Sequence, residues 1–142
     1  MKVAIYTDGS SLGNPGPGGF CALVTFDGKT KTVKGGAADT TNNRMEMSAI
    51  IAGLAWISTN LPEVRECAIY SDSNLIIQTI KQGWKRKKNT DLWAKMDHVI
   101  DLFDRLSWNW VKGHAGHPQN TEADRVAVSE AKKRQRALNA SA

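Results

Sequence analysis

The stretch from residue 43 to residue 71 constrains the topology of this chain more than any other. Helical periodicity over 43–59, a breaker at Leu61-Pro62 and a short apolar run at 66–71 require a long helix to carry the chain from one strand to the next. A crossover of that length is right-handed, which sets the strand near 66–71 parallel to a first strand near 2–9.

The remaining elements attach to this unit. Strands near 19–27 and 30–37 flank the hairpin signal Asp27-Gly28, so the first three strands read as an antiparallel meander. Further helices are expected near 73–82, ending at Gly83, and near 90–105 and 118–135, with a last strand near 107–112. The expected architecture is α/β: a five-stranded mixed sheet, a meander plus two parallel strands, flanked by helices. At 142 residues the chain is one ordinary domain, expected over 1–136, with 137–142 as a disordered end.

Four carboxylates stand where folding has no need of them. Period-two alternation puts Val3, Ile5 and Thr7 on one face of the first strand and Ala4, Tyr6 and Asp8 on the other, so Asp8 follows the pleat into a mostly apolar row. Asp72 leaves the strand Cys67-Ala-Ile-Tyr-Ser just before a helical stretch. Glu46 shares a helical face with Ile50, Gly53, Leu54 and Ile57, and Asp124 falls on the stripe of Ala127, Val128 and Ala131. Taken singly, each has a local reading: an Asp-Gly turn for Asp8, an N-cap for Asp72, a capping box with Asn43 for Glu46, and a partly exposed helix start for Asp124. Taken together, strand-end carboxylates on parallel neighbours emerge at the sheet edge where open α/β sheets bind ligands. Four converging carboxylates repel one another unless cations hold them, and a pair of divalent metal ions fits that need.

Charge and cysteine content narrow the setting. The formal net charge of +5 favours a polyanionic partner, with nucleic acid the leading choice. Cys21 and Cys67 lack metal-knuckle spacing and read as reduced core residues, which implies a cytoplasmic protein. No segment approaches the roughly 20 apolar residues of a membrane span, and the first strand begins too early for a signal peptide. Asn14-Pro-Gly-Pro-Gly-Gly19 lacks the Gly-Lys-Ser/Thr ending of a nucleoside-triphosphate cradle. In Gly113-His-Ala-Gly-His117, two histidines are too few for structural zinc, so His114 reads either as a proton-handling residue or as a loop histidine without function. Trp108 and Trp110 alternate along a strand as packing residues, whereas Trp84 adjoins Lys85, Arg86, Lys87 and Lys88 and suits a sugar-phosphate groove, a solvated charge run being the alternative.

Tyr6-Thr-Asp8-Gly-Ser10, Gly13-Asn-Pro-Gly-Pro-Gly-Gly19, Thr41-Asn-Asn-Arg-Met-Glu46, Ser71-Asp72-Ser73, Val111-Lys-Gly-His114-Ala-Gly-His117 and Asp124 resemble, in order and spacing, the type 1 ribonuclease H family over residues 2 to about 130. The resemblance implies a ribonuclease H-like fold. It also implies endonucleolytic cutting of the RNA strand of an RNA–DNA hybrid to 5′-phosphate and 3′-hydroxyl ends, with two Mg2+ or Mn2+ ions on Asp8, Glu46, Asp72 and Asp124. By the same resemblance, Asp8 bridges both metals, Glu46 and Asp72 serve the leaving-group side, Asp124 serves the nucleophile side, and His114 assists proton transfer or product release. Gly9, Asn14, Asn42, Asn43 and Asn74 are then expected on the RNA minor groove, and Thr41 in a pocket for a DNA phosphate. Such neutral donors suit 2′-hydroxyl recognition, giving selectivity for strand type over base sequence.

This chain departs from the pattern between Asp72 and Asp91. The well-known bacterial members carry an extra helix and a basic protrusion there, and only Trp84 to Lys88 remains. No additional N-terminal hybrid-binding domain, of the kind some relatives possess, is expected. A free-standing monomer is expected. Two other readings stay open: a catalytically idle hybrid-binding module, and another nuclease of the same superfamily, such as a DNA-joint resolvase, an integrase or a reverse-transcriptase ribonuclease domain.

Overall fold

The structure, a computed structural model, describes residues 1–112 and 118–141. The elements in order are β1 (Val3–Ser11), β2 (Gly16–Phe26), β3 (Lys29–Thr40), α1 (Asn42–Asn60), β4 (Glu66–Ser71), α2 (Asn74–Gln82), α3 (Thr90–Ile100), β5 (Arg105–Trp110) and α4 (Pro118–Ser141). The sheet order is β3-β2-β1-β4-β5. β1, β2 and β3 pair antiparallel, while β1 with β4 and β4 with β5 pair parallel, so the α1 crossover has the expected consequence.

Alternation along the strands splits the side chains between two covers. On one face Val3, Ile5, Ala22, Val24 and Ile69 pack with Met47, Ile50, Leu54 and Ile57 of α1, Ile76 of α2, and Leu92, Trp93 and Met96 of α3. On the other face Cys21 and Leu23 pack with Ala123, Val126 and Ala127 of α4, with Tyr6 at the margin. Close seating of α4 depends on Gly19: a Cβ there would lie 2.3 Å from the Ala127 carbonyl oxygen. Cys21 and Cys67 are both free and buried, one in each cluster, and burial pushes both thiols up to about 12.

Local boundaries differ from the sequence expectation: β2 already starts at Gly16 and β3 runs on to Thr40, and three further differences bear on the site and the packing. α3 stops at Ile100 and β5 starts at Arg105, because the Asp104 and Arg105 amides both donate to the Arg65 carbonyl and pull the chain into the sheet early. α4 runs on to Ser141 through the segment expected as a disordered end. Ala137-Leu-Asn-Ala contains no helix breaker, and the Ser141 hydroxyl donates to the Ala137 carbonyl. The α1 cap is Thr41, whose Oγ1 accepts from the Arg44 amide at 3.2 Å, and not a capping box between Asn43 and Glu46. Glu46 is thereby released from any capping role.

Candidate active site

The parallel pairing of β1 and β4 builds the centre of the site. Thr7 lies opposite Ser71, so Asp8, still within β1, and Asp72, one residue past the end of β4, come to the same level side by side. The end of β4 is fixed from several directions: Thr7 Oγ1 donates to the Tyr70 carbonyl, the Val111 amide to the Ser71 carbonyl, and the Ser73 amide to Ser71 Oγ. Ser73, not Asp72, caps α2 by accepting from the Ile76 amide. The capping duty that the sequence allowed Asp72 thus falls to Ser73.

α1 brings the third carboxylate. Its apolar face buries Met45, Glu46, Met47, Ile50, Gly53, Leu54 and Ile57 together, and Gly9 lets the first turn of the helix come down on β1. Ligand oxygens of Asp8, Glu46 and Asp72 lie within 4.8 Å of one another. Asp124, half-buried on α4, is within hydrogen-bonding reach of Asp8. All four sequence-identified carboxylates therefore gather at one place.

Their electrostatics favour positive charge. Asp8 is only 4% exposed and is pushed up to about 7, first by desolvation and further by Asp72 and Asp124, although the Gly9 amide donates to its Oδ1 at 2.8 Å. Burial also drives Glu46 well above its ordinary value, reinforced by the charges of Asp8 and Asp72. Among the described residues, Glu46 Oε2 is buried with no hydrogen-bond partner. An orphaned buried carboxylate oxygen facing two more carboxylates is a donor set of hard oxygens, which suits Mg2+ or Mn2+.

A groove of about 550 Å3 opens from this cluster and is lined by Asn14, Thr41, Asn42, Asn43, Glu46, Asp72 and Lys88. Asn42 Oδ1 accepts from the Ser11 amide at 2.6 Å, and Asn14 Oδ1 accepts from the Asn42 amide at 3.3 Å, so these two amide side chains also fix the β1–β2 loop against α1. Gly9 lies beneath the start of α1, and Asn74 is exposed at the first turn of α2. An adjoining recess contains Lys85, Arg86, Lys87 and Lys88 together with Asn43, Leu75 and Trp93.

The basic run does not behave as one block. Arg86 donates to both oxygens of Asp97 at 2.7 and 2.8 Å and lies 4.4 Å over the Trp93 ring, while Lys85, Lys87 and Lys88 are exposed. Trp84 is 49% exposed immediately beyond the Gly83 cap of α2. His114 lies outside the described residues.

Two participants escape sequence reading. Arg44 binds Asp91 at 2.7 and 3.0 Å and Asn89 at 3.2 Å, tying the start of α1 to the start of α3 and holding the Asp91 carboxyl down at about 2. Trp110, expected to be packing, is 47% exposed, and its Nε1 donates to the Asp72 carbonyl at 3.2 Å. The register Ser71 opposite Trp110 puts it beside the site, but that register is a tertiary fact.

A mixed five-stranded sheet with clustered carboxylates at its parallel-strand edge defines the class as ribonuclease H-like. The ribonuclease H family profile matches residues 1–132. The chain is 41% identical to a Ribonuclease H of Saccharopolyspora erythraea, covering 92% of this chain and 93% of the relative. It is 43% identical to one of Paramagnetospirillum magneticum, covering 88% and 86%. Among solved structures, the N-terminal ribonuclease H domain of a Mycobacterium tuberculosis protein superposes with a TM-score of 0.84 at 31% identity, covering 97% of this chain and 99% of that one. LC11-RNase H1, solved in complex with an RNA/DNA hybrid, gives 0.80 at 27% identity, covering 93% and 98%. This chain belongs to the ribonuclease H family.

Proposed function

We propose that the protein is a metal-dependent endoribonuclease that hydrolyses the RNA strand of RNA–DNA hybrids and leaves 5′-phosphate and 3′-hydroxyl ends. The single observation that carries this reading is the convergence of Asp8, Glu46 and Asp72, with Asp124 beside Asp8, at the end of a groove lined by neutral amide side chains. Asp8, Glu46, Asp72 and Asp124 would hold two Mg2+ ions, with Mn2+ able to replace them. Such ions supply charge stabilisation to the attacking and departing oxygens of a phosphodiester.

The rest of the work falls to this chain's own groups. Asp8 lies central to the carboxylate set, against Glu46, Asp72 and Asp124, and would hold both ions when they are bound. His114 moves a proton during cleavage or helps release product. Asn14, Asn42, Asn43 and Asn74, with the Gly9 backbone, contact the RNA side of the groove, and Thr41 takes a DNA phosphate. Trp84 with Lys85, Lys87 and Lys88 adds ring surface and positive charge beyond the groove, Arg86 contributing mainly by bracing that segment through Asp97 and Trp93. We place the protein in the cytoplasm, acting as a monomer.

Incubation with end-labelled RNA–DNA hybrid, double-stranded RNA and double-stranded DNA tests this reading. Cleavage of only the hybrid's RNA strand is expected. Cutting of duplex DNA would indicate another nuclease of the superfamily, and binding without cutting an idle module.

A further inference from the structure

A second groove, of about 510 Å3, meets the carboxylate cluster from the α4 side and shares Asp124 with it. Arg125, Lys132 and Arg136 line this groove together with the hydroxyls of Thr121 and Ser129. Glu46 and Asp72 line the first groove and Asp124 the second, so the two grooves approach the cluster from different sides.

Within this groove Arg125 pairs with Glu122 on its own helix, as several arginines elsewhere pair with acids. Arg44, Arg65, Arg86 and Arg134 each pair with an acid that braces one segment against another or one helical turn against the next. Lys132 and Arg136 are exposed and, among the described residues, have no ion-pair partner. They also stand four residues apart on one helix, where like charges repel and weaken the helix slightly. A stripe of that kind costs stability unless an anion lies along it. At about 1.5 Å per residue, Lys132 and Arg136 lie roughly 12 and 18 Å along the helix from Asp124, a span of about five phosphates of one strand at about 3.4 Å each.

We propose that the α4 groove is a second hybrid-binding surface, in which Lys132 and Arg136 hold backbone phosphates on the far side of the cleaved bond from the Asn14–Thr41 groove. This proposal rests on the ribonuclease reading for its ligand and extends the substrate footprint beyond it. It also supplies positive charge that the short Trp84–Lys88 segment, with Arg86 engaged internally, does not.

The test compares Lys132→Gln/Arg136→Gln with Lys29→Gln/Lys31→Gln, which removes the same charge at the far β2–β3 turn. Binding of a fluorescent RNA–DNA hybrid is measured by anisotropy in Mg2+ across a salt series, both pairs being built on Asp72→Asn to suppress cleavage. The α4 pair should bind about tenfold more weakly at moderate salt, with a log–log salt slope shallower by about 2 and an unchanged melting temperature. The hairpin pair should match its parent. Unchanged affinity and slope in the α4 pair would overturn the proposal, as would an equal effect of the hairpin pair, which would mean that only net charge matters. Cleavage is scored separately on the native chain: failure to cut a hybrid that still binds through Lys132 and Arg136 counts against the enzymatic reading and leaves the groove standing.

Discussion

Gly9 and Glu46 approach so closely that a Cβ on Gly9 would lie 2.3 Å from the Glu46 amide nitrogen and 2.4 Å from the Met45 carbonyl carbon. Both obstacles are backbone, so neither can rotate away. Gly9→Ala should therefore lift the first turn of α1 off β1 and separate Glu46 from Asp8. The expected result is a loss of about 1–3 kcal/mol in urea unfolding together with near-complete loss of hybrid cleavage. A fully stable and active Gly9→Ala chain would show that the contact does not set the site.

Asp8→Asn should separate stability from function. An acid whose folded pKa is raised from 3.8 to about 7 binds more protons folded than unfolded across that interval. The metal-free protein should consequently lose stability as pH rises from about 4 to about 7, with Glu46 acting in the same direction. In chelator at neutral pH, Asp8→Asn should melt higher than the native chain, by on the order of 1–3 kcal/mol in stability, and its pH profile should be flatter. Lower melting of the variant in chelator would mean that Asp8 serves in a stabilising pair.

Glu46→Gln and Asp72→Asn should each cost about 10³-fold or more in turnover, since loss of one charged ligand removes several kcal/mol of stabilisation of developing charge. Asp124→Asn should retain partial activity that Mn2+ favours, because an amide oxygen still coordinates weakly. Turnover in each metal across the three variants checks the ranking.

His114→Ala should lower turnover substantially with hybrid affinity nearly intact, as befits a proton-handling group. Single-turnover cleavage alongside equilibrium binding separates the two. Lost affinity with unchanged chemistry would assign His114 to positioning.

The basic segment should divide in two. Lys85→Gln/Lys87→Gln/Lys88→Gln should raise KM and flatten its salt dependence with no change in melting temperature. Arg86→Gln should instead destabilise the fold by about 1 kcal/mol, through loss of the Asp97 pair and the Trp93 stack, with a smaller effect on salt slope. Urea melts and KM measured at several salt concentrations distinguish these behaviours.

Features set by local period were legible in the sequence. Alternation in β1 placed Asp8 against the apolar row, and 3.6-residue spacing placed Glu46 on the buried face of α1, because both follow from the direction of successive Cβ atoms. What sequence did not reveal depends on contacts between distant residues. The ties from Arg65 to Asp104 and Arg105 moved the α3–β5 boundary, Arg86 found its partner 11 residues away, and Trp110 reached Asp72 only through the β4–β5 register. Gly9 was singled out for substrate contact, but the closeness of α1 is a property of the packed helix, which no pattern around residue 9 encodes.

The most direct measurement of the central claim follows cleavage of an end-labelled RNA–DNA hybrid by the native chain and by Asp8→Asn across a Mg2+ titration, with the product ends identified. The account predicts no cutting in chelator, saturable Mg2+-dependent cutting of the RNA strand by the native chain to 5′-phosphate and 3′-hydroxyl ends, and at most a trace by Asp8→Asn. Cutting that persists in chelator, or near-native Mg2+-dependent turnover by Asp8→Asn, would contradict it.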